Sequence, residues 1–575
     1  MLYKTILKIL FLFSISLSVF ADPPTQVARL SLTTGTVSLL AAGMEDWVQA
    51  TLNRPLTTSD KLWVNSDGQA ELQLAGATLW VGKETALSIL NLDDRNSQFQ
   101  VTQGRVNVLI KKMDPNQNFE IDTPNLALTI RQAGFYRLDI EPDTHSTLVS
   151  VYDGLAEAHG ENASYQINST QAYLFTGADI SNYQNMTQSP DDLDSASLNR
   201  LKILESSVNN TYVSKQVIGF EDLYQYGDWQ EVPPYGAIWC PSEVSSDWAP
   251  YQNGSWVWID PWGWTWVDEA PWGFAPFHYG RWVNLEEAWC WVPGPASNSS
   301  LYAPALVEFL NFEDGDMGWF PLAPGEAYWP PYDTSQGYFI DMNSNLGLPV
   351  PLLITYYNSG INIENFHHFR HRRGFSKVDR KTFVNSERVA KALKTIDPKN
   401  ISKNMIKTTA AISPSSRSVH GNTEKASSVP PKSSLTRPTI AKKAPPITTL
   451  VPFSAKQEQL TKNPGKPLTN QQFQQIKSIS APISTAPNIK TIVPSVPKQP
   501  TVKPAQVAPR PAPIPQVTPR PAPVPQVAPR PAPIPQVAPR PAPVPQVAPR
   551  PAPTPHVEPT PAPSPSTTKH KKGDN

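Results

Sequence analysis

From residue 26 to about 160, apolar and polar side chains alternate with a period of two, the spacing that turns one face of a β-strand inward. Ala70, Leu72 and Leu74 alternate with Gln69, Glu71 and Gln73, and the rhythm returns over 105–110, 118–122, 126–130, 133–140 and 147–152. Turn formers separate the runs, among them Asn65-Ser66-Asp67-Gly68 and Asp153-Gly154. Short strands arriving roughly every 8–12 residues predict a mainly β domain over 26–160: a sandwich, a barrel or a β-solenoid. Residues 161–216 are more polar and read as a connector, with a short helix suggested around Asp191-Asp192-Leu193-Asp194 and 201–205.

A second period-two pattern fills residues 217–345, and its apolar members are aromatic. Of the 17 tryptophans, 14 lie between 221 and 340. Trp256 and Trp258 share one strand face, and Trp264 and Trp266 repeat the arrangement after Pro261-Trp262-Gly263. Two further variants follow at 277–283, which includes Trp282, and 289–294. The pattern predicts small twisted hairpins stacked on one another. With so few leucines the core must be aromatic, each ring burying roughly 150–250 Å². A minority of rings exposed along one ridge would stack on sugars or prolines; Trp256, Trp258, Trp264, Trp266 and Trp282 are the candidates.

Past 345 the patterning fades into a basic extension at 346–395. Residues 396–575, rich in Lys, Ser, Thr and Pro, lack the apolar surface that would offset the entropy of ordering, and a disordered tail is expected. From Val507 a ten-residue repeat sets Arg510, Arg520, Arg530, Arg540 and Arg550 at constant spacing. Alternating prolines favour polyproline II, so the block could span on the order of 200 Å as a spacer arm.

Charge and the N-terminus change this picture. Residues 22–369 hold 14 Lys+Arg against 42 Asp+Glu, whereas 370–575 hold 33 against 7, so a formal net charge of zero conceals an acidic body and a basic tail. Such asymmetry marks an interaction tail for anionic envelope polymers, or a solvated arm lying on its own acidic body. Lys4 and Lys8, an apolar run from Ile9 to Phe20, and Val19 and Ala21 before Asp22 have the layout of a cleavable signal peptide over 1–21. The run is shorter than the roughly twenty residues a spanning helix needs, and no transmembrane segment is expected after cleavage. Export to the periplasm or cell envelope follows, which argues against a nucleic-acid partner despite the basic tail.

Gly35-Thr36-Val37, Asn53-Arg54-Pro55-Leu56, Asp60-Lys61-Leu62-Trp63, Gly104-Arg105-Val106, Phe119-Glu120-Ile121-Asp122-Thr123-Pro124 and Gly134-Phe135-Tyr136-Arg137 together resemble the FecR-like domain. That resemblance implies a periplasmic β-domain, of a family whose best-known member relays an outer-membrane transporter signal to a sigma factor. The aromatic zone, from Gly219-Phe220-Glu221-Asp222-Leu223 to Trp319-Phe320-Pro321-Leu322, resembles the Trp-rich domain of unknown function that commonly follows it.

Cys240 and Cys290 are the chain's cysteines. An isolated pair in an oxidising compartment favours one structural disulfide, with two free buried thiols as the other reading. Both stand where the resembled Trp-rich pattern has other residues, which a paired substitution would explain. His278 lies among aromatics and reads as a packing residue. His367, His368 and His371 are crowded by Arg370, Arg372 and Arg373, which suits an anion or solvent better than a metal. Asp260, Asp268, Glu269, Glu286 and Glu287 could in principle pair for glycoside hydrolysis, but Asp260-Pro261 and Asp268-Glu269 fall at hairpin turns, where Asp is favoured for backbone reasons. No phosphate loop, nucleophile elbow or zinc pattern appears. The expectation is a non-enzymatic scaffold binding an envelope protein or glycan, without cofactor or metal. A FecR-type signalling component and a carbohydrate-binding module are the alternatives.

Overall fold

The alternating segments form two sheets packed face to face. Ala28–Thr34, Gln69–Leu74, Ala77–Val81, Gly134–Glu141, Ser146–Val151, Gln171–Thr176 and Asn182–Asn185 lie in one. Val37–Leu40, Lys61–Val64, Thr85–Leu92, Asn118–Asp122, Ala127–Ile130, Leu155–His159 and Ser164–Asn168 lie in the other. The 15-residue strand Asn96–Ile110 serves both, passing from one sheet to the other at Gly104. There φ is 91°, and a Cβ would sit 2.3 Å from Thr85 Oγ1, so glycine is required. Leu39, Leu62, Leu72, Leu79, Phe99, Val106, Val108, Ile121, Leu128, Leu138 and Val149 fill the space between the sheets. This is a computed structural model, and it describes residues 22–500 apart from 207–211, 298–299, 345–346, 372, 398, 400, 403–404, 422, 447–450 and 481–485.

The sandwich continues beyond residue 160, so the connector expected at 161–216 is largely structured. Ile167 and Phe175 are buried, and Tyr165, Tyr173 and Tyr183 gather around Phe175. These strands look polar because only one of their faces meets the core. Helix Asp192–Glu205 follows, started by a reciprocal capping box between Asp191 and Asp194. Asp194 also accepts from Arg137 Nη1 at 2.6 Å and Asn107 Nδ2 at 3.0 Å, which pins the helix to the sheet.

The aromatic region holds a four-stranded sheet (Gly227–Val232, Gly236–Pro241, Ala288–Val292, Arg281–Leu285) and a hairpin, Gly254–Ile259 with Gly263–Asp268. A second hairpin, Val307–Asn311 with Met317–Pro321, is widened on one side by Ser376–Val378 and on the other by Ile406–Lys407. The extension 346–395 is therefore part of this domain, burying Leu353 and Phe383 in it.

Residues 401–500 overturn the expectation of disorder across 396–500. They form a strap of short elements, including helices Phe453–Lys462 and Asn470–Ile479, laid over both domains. The segment cannot build a core of its own, but single apolar residues spaced along it (Ile406, Ile412, Val419, Ile440, Phe453, Leu460) are buried against the body. Composition registers the missing core and is blind to a surface supplied by the rest of the chain. Arg510, Arg520, Arg530, Arg540 and Arg550 lie outside the described residues.

Candidate functional site

The five tryptophans proposed as an exposed ridge are interior: Trp256, Trp258, Trp264, Trp266 and Trp282 are each at most 3% exposed. The register explains it. Trp256 faces Trp266 and Trp258 faces Trp264 across the hairpin, in edge-to-face pairs 5.4 and 5.6 Å apart. The same rings meet Phe309, Trp319 and Phe383 of the neighbouring sheet and helix. The other hairpin face, at Val257 and Val267, is also buried. A hairpin covered on both sides offers no stacking platform. The indoles only partly covered are Trp229, Trp248 and Trp329, and Trp229 already stacks on Tyr212.

Cys240 and Cys290, on the antiparallel strands Gly236–Pro241 and Ala288–Val292, are joined in a disulfide.

Asn53 of the FecR-like signature meets Arg29 at the domain junction. Arg29 is fully buried. Its guanidinium donates to Asn53 Oδ1 at 3.0 Å, Gln73 Oε1 at 3.0 Å, Asp222 Oδ2 at 2.6 Å and the Pro271 carbonyl at 2.7 Å. Asn53, held at φ 60°, donates onward to the carbonyls of Asp268 and Ala270. Arg200 closes the network by donating to Glu71 and Asp222. A charge taken out of water persists only when paired and hydrogen-bonded, and Arg29 satisfies that with partners from both domains.

Beside the junction is a cleft of about 440 Å³, bounded by Asp60, Trp258, Asp260, Phe453, Lys456 and Phe473. Asp60 accepts from the Ala42 and Thr57 amides, and burial pushes its carboxyl pKa up. Asp260 accepts from Trp258 Nε1 at 3.0 Å and Lys456 Nζ at 2.6 Å, tying the strap helix to the aromatic hairpin. Arg54 donates to the carbonyls of Val419 and His420, while its buried Nε has no partner among the described residues.

The remaining titratable groups are dispersed. Burial raises Asp268 to about 8, yet both its oxygens are engaged, by Trp266 Nε1 and the Ala270 amide. Glu269 pairs with Arg388 at 2.6 Å, and Glu286 and Glu287 form the turn between Arg281–Leu285 and Ala288–Val292. Burial lowers His278 to about 3 and His368 to about 4; each ring meets a main-chain carbonyl, of Ala303 and Trp282. Among the described residues no cluster of three His, Cys, Asp or Glu could hold a metal, and no helix is long and apolar enough to cross a membrane.

Comparison with known families agrees with this division. Residues 60–157 match the FecR protein family, and residues 220–326 match a family of unknown function, DUF6600. The chain thus carries a FecR domain followed by a DUF6600 domain. No curated protein matches it. Two crystal structures of a candidate anti-sigma factor from Parabacteroides distasonis are similar to part of it, at 12% and 11% identity and TM-score 0.21. The similarity covers 24% of this chain and 63% and 64% of theirs.

Proposed function

We propose that the chain is a non-enzymatic, exported cell-envelope protein whose FecR and Trp-rich domains form one rigid head that binds a protein partner. The buried Arg29 network carries this reading, because a four-way guanidinium contact holds the domains in a single arrangement and preorganises whatever surface spans them. The interior position of the tryptophans favours a protein over a glycan ligand, since glycan recognition relies on exposed indole faces. The scatter of the titratable groups, with no cluster of three His, Cys, Asp or Glu among the described residues, supports binding rather than catalysis. The mature full-length chain, immobilised and exposed to envelope extract, should retain one protein at physiological salt that also binds after separate purification. Retention of glycan alone, or of nothing, would remove the reading.

The FecR match supports a second reading, a signalling role in which the head passes an envelope cue to a membrane partner. Deleting the gene should then change transcription of a sigma-factor-controlled set of genes; an unchanged transcriptome would rule that role out. The repeat arginines 510, 520, 530, 540 and 550 would tether the tail to anionic polymers.

A further inference from the structure

Strap residues Arg437-Pro438-Thr439-Ile440-Ala441-Lys442-Lys443 run across the outer face of the FecR sheet that contains Asn118–Asp122. We propose that this face is a docking surface for an extended basic segment of a partner protein, and that residues 437–443 occupy it in cis. The proposal deepens the protein-binding reading and rests on it.

Most of the recognition is of main chain. The Ile440 amide donates to the Thr123 carbonyl at 2.9 Å, and the Lys442 and Lys443 amides donate to Glu120 Oε1 at 2.8 and 3.3 Å. Gln98 Nε2 donates to the Lys443 carbonyl at 2.8 Å. Any extended segment offers these groups, so the contacts select conformation rather than sequence. Charge favours a basic segment, since Lys442 lies within electrostatic reach of Glu120 and Glu157, and side chains add two bonds to neutral acceptors. Arg437 donates to the Thr102 carbonyl at 2.7 Å and Lys443 Nζ to Asn96 Oδ1 at 2.6 Å. The face beneath presents Glu120 and Asp122 from one strand and, on the far side of Ala127–Ile130, Glu157, which is paired with Arg131 at 2.6 Å. Glu120 and Asp122 are fully covered. Burial, together with the nearby Glu120, holds the Asp122 carboxyl well above its ordinary pKa.

The fit in cis is incomplete, which is why a different occupant is inferred. Gln98 Oε1, Thr102 Oγ1 and Thr129 Oγ1 on this face are buried without a hydrogen-bond partner among the described residues. A segment supplying donors and acceptors there would hold more tightly than 437–443. The strap is also poorly anchored to itself at this point. It pairs only over Thr439–Ala441, in parallel with Ile489–Thr491, and a two-stranded ribbon that short has little stability of its own.

The test uses the mature full-length chain and a fluorescent peptide with the sequence of residues 435–445. A tethered competitor acts at roughly millimolar effective concentration, so wild type should bind the peptide weakly. Ile440→Pro removes the amide that bonds to Thr123 and should tighten peptide binding at least tenfold. Adding Glu120→Gln should cancel that gain, and so should replacing the peptide's Arg and Lys by Gln. Ile440→Pro binding no tighter than wild type, or the uncharged peptide binding equally well, would overturn the proposal. Should Ile440→Pro fail to fold, hydrogen exchange on wild type replaces it. Faster exchange at the Ile440, Lys442 and Lys443 amides under excess peptide supports the docking face, and unchanged exchange at millimolar peptide refutes it. A partner from envelope extract retained equally by wild type and Glu120→Gln would overturn this surface and leave the binding reading standing. Peptide binding without any retained partner would support this surface and count against that reading.

Discussion

The two domains solve the problem of a β-core in opposite ways. The FecR sandwich is filled by aliphatic side chains from its own strands, and its main cluster draws on nothing beyond residue 183. The Trp-rich domain shares its core: the cluster built on Trp256, Trp266, Trp282 and Trp319 takes Trp47 and Trp63 from the FecR side and Val419, Phe453 and Leu460 from the strap. Indoles impose a second demand that aliphatic groups do not, since each buried N–H calls for an acceptor. Trp239, Trp291 and Trp319 find theirs within the domain, at the carbonyls of Leu223, Tyr279 and Tyr251, and Trp264 donates to Ile412 of the strap, while Trp256, Trp262 and Trp282 have none among the described residues. An aliphatic sheet pair is self-sufficient, whereas the aromatic one is completed by its neighbours.

That contrast can be broken at several points. The severest should be Arg29→Ala, which removes all four guanidinium bonds, leaves Asp222 with Arg200 and Asn53 Oδ1 without its donor, and should cost about 3–5 kcal/mol. Chemical denaturation should then separate into two transitions, because the domains no longer melt as one. Trp266→Ala empties the centre of the aromatic cluster at a similar cost of about 3–5 kcal/mol, read as a lowered denaturation midpoint. Leu72→Ala in the FecR core should cost about 2–5 kcal/mol and should leave near-ultraviolet Trp signals largely intact in any residual folded state. Replacing Cys240 and Cys290 by Ser opens a loop with a sequence separation of 50 and should cost about 4 kcal/mol at most, in the loop-entropy picture. Thermal melts under oxidising conditions would show it.

A gentler probe is pH. In the folded chain Asp268 keeps its proton up to about pH 8, while in the unfolded chain it loses it near 3.8. Raising the pH between those values therefore favours the unfolded state, and the contribution of this group is fully present only below about pH 4. His278 and His368 work the other way: held at about 3 and about 4 when folded, they withdraw stability as pH falls below 6.5. Asp268→Asn should flatten the decline in melting temperature above pH 5 and leave the acid limb unchanged. The smallest effect is expected from Lys456→Met. Its ion pair with Asp260 is partly exposed on the carboxylate side, so less than about 1 kcal/mol should be lost and strap exchange should quicken only slightly.

The FecR sandwich was legible because its strands keep strict alternation. The domain boundary at 160 was not, because 164–176 place partly exposed Gln, Asn and Thr in strands whose inward residues include Ile167 and Phe175. The aromatic zone announced itself through its tryptophans, yet their burial could not be read from spacing. Period two tells which rings share a face and says nothing about whether a second layer covers it, as Phe383 and Trp319 cover Trp256. The junction did leave a trace, since Asn53-Arg54 and Asp60 stand in the FecR-like signature. Their partners, Asp268 and Val419, lie hundreds of residues away, beyond the reach of any local pattern. The strap was missed for the reason its composition suggests: its buried residues come singly, each resting on a surface made elsewhere.

The last described stretch of the strap is joined to the sandwich edge through Lys498, whose amide donates to the Ser164 carbonyl at 2.9 Å and whose carbonyl accepts from the Gln166 amide at 2.9 Å. Any tension on the chain beyond residue 500 enters the head at this point. A pull there would load the Asn168–Gln499 side-chain bond and these two bonds first and peel the strap backwards, next reaching Ile489–Thr491 and then Thr439–Ala441. Bonds loaded one after another yield at far lower force than the same bonds sheared together. The edge at Tyr165 would thus act as a mechanical fuse, opening the strap while the Arg29 junction stays unstressed.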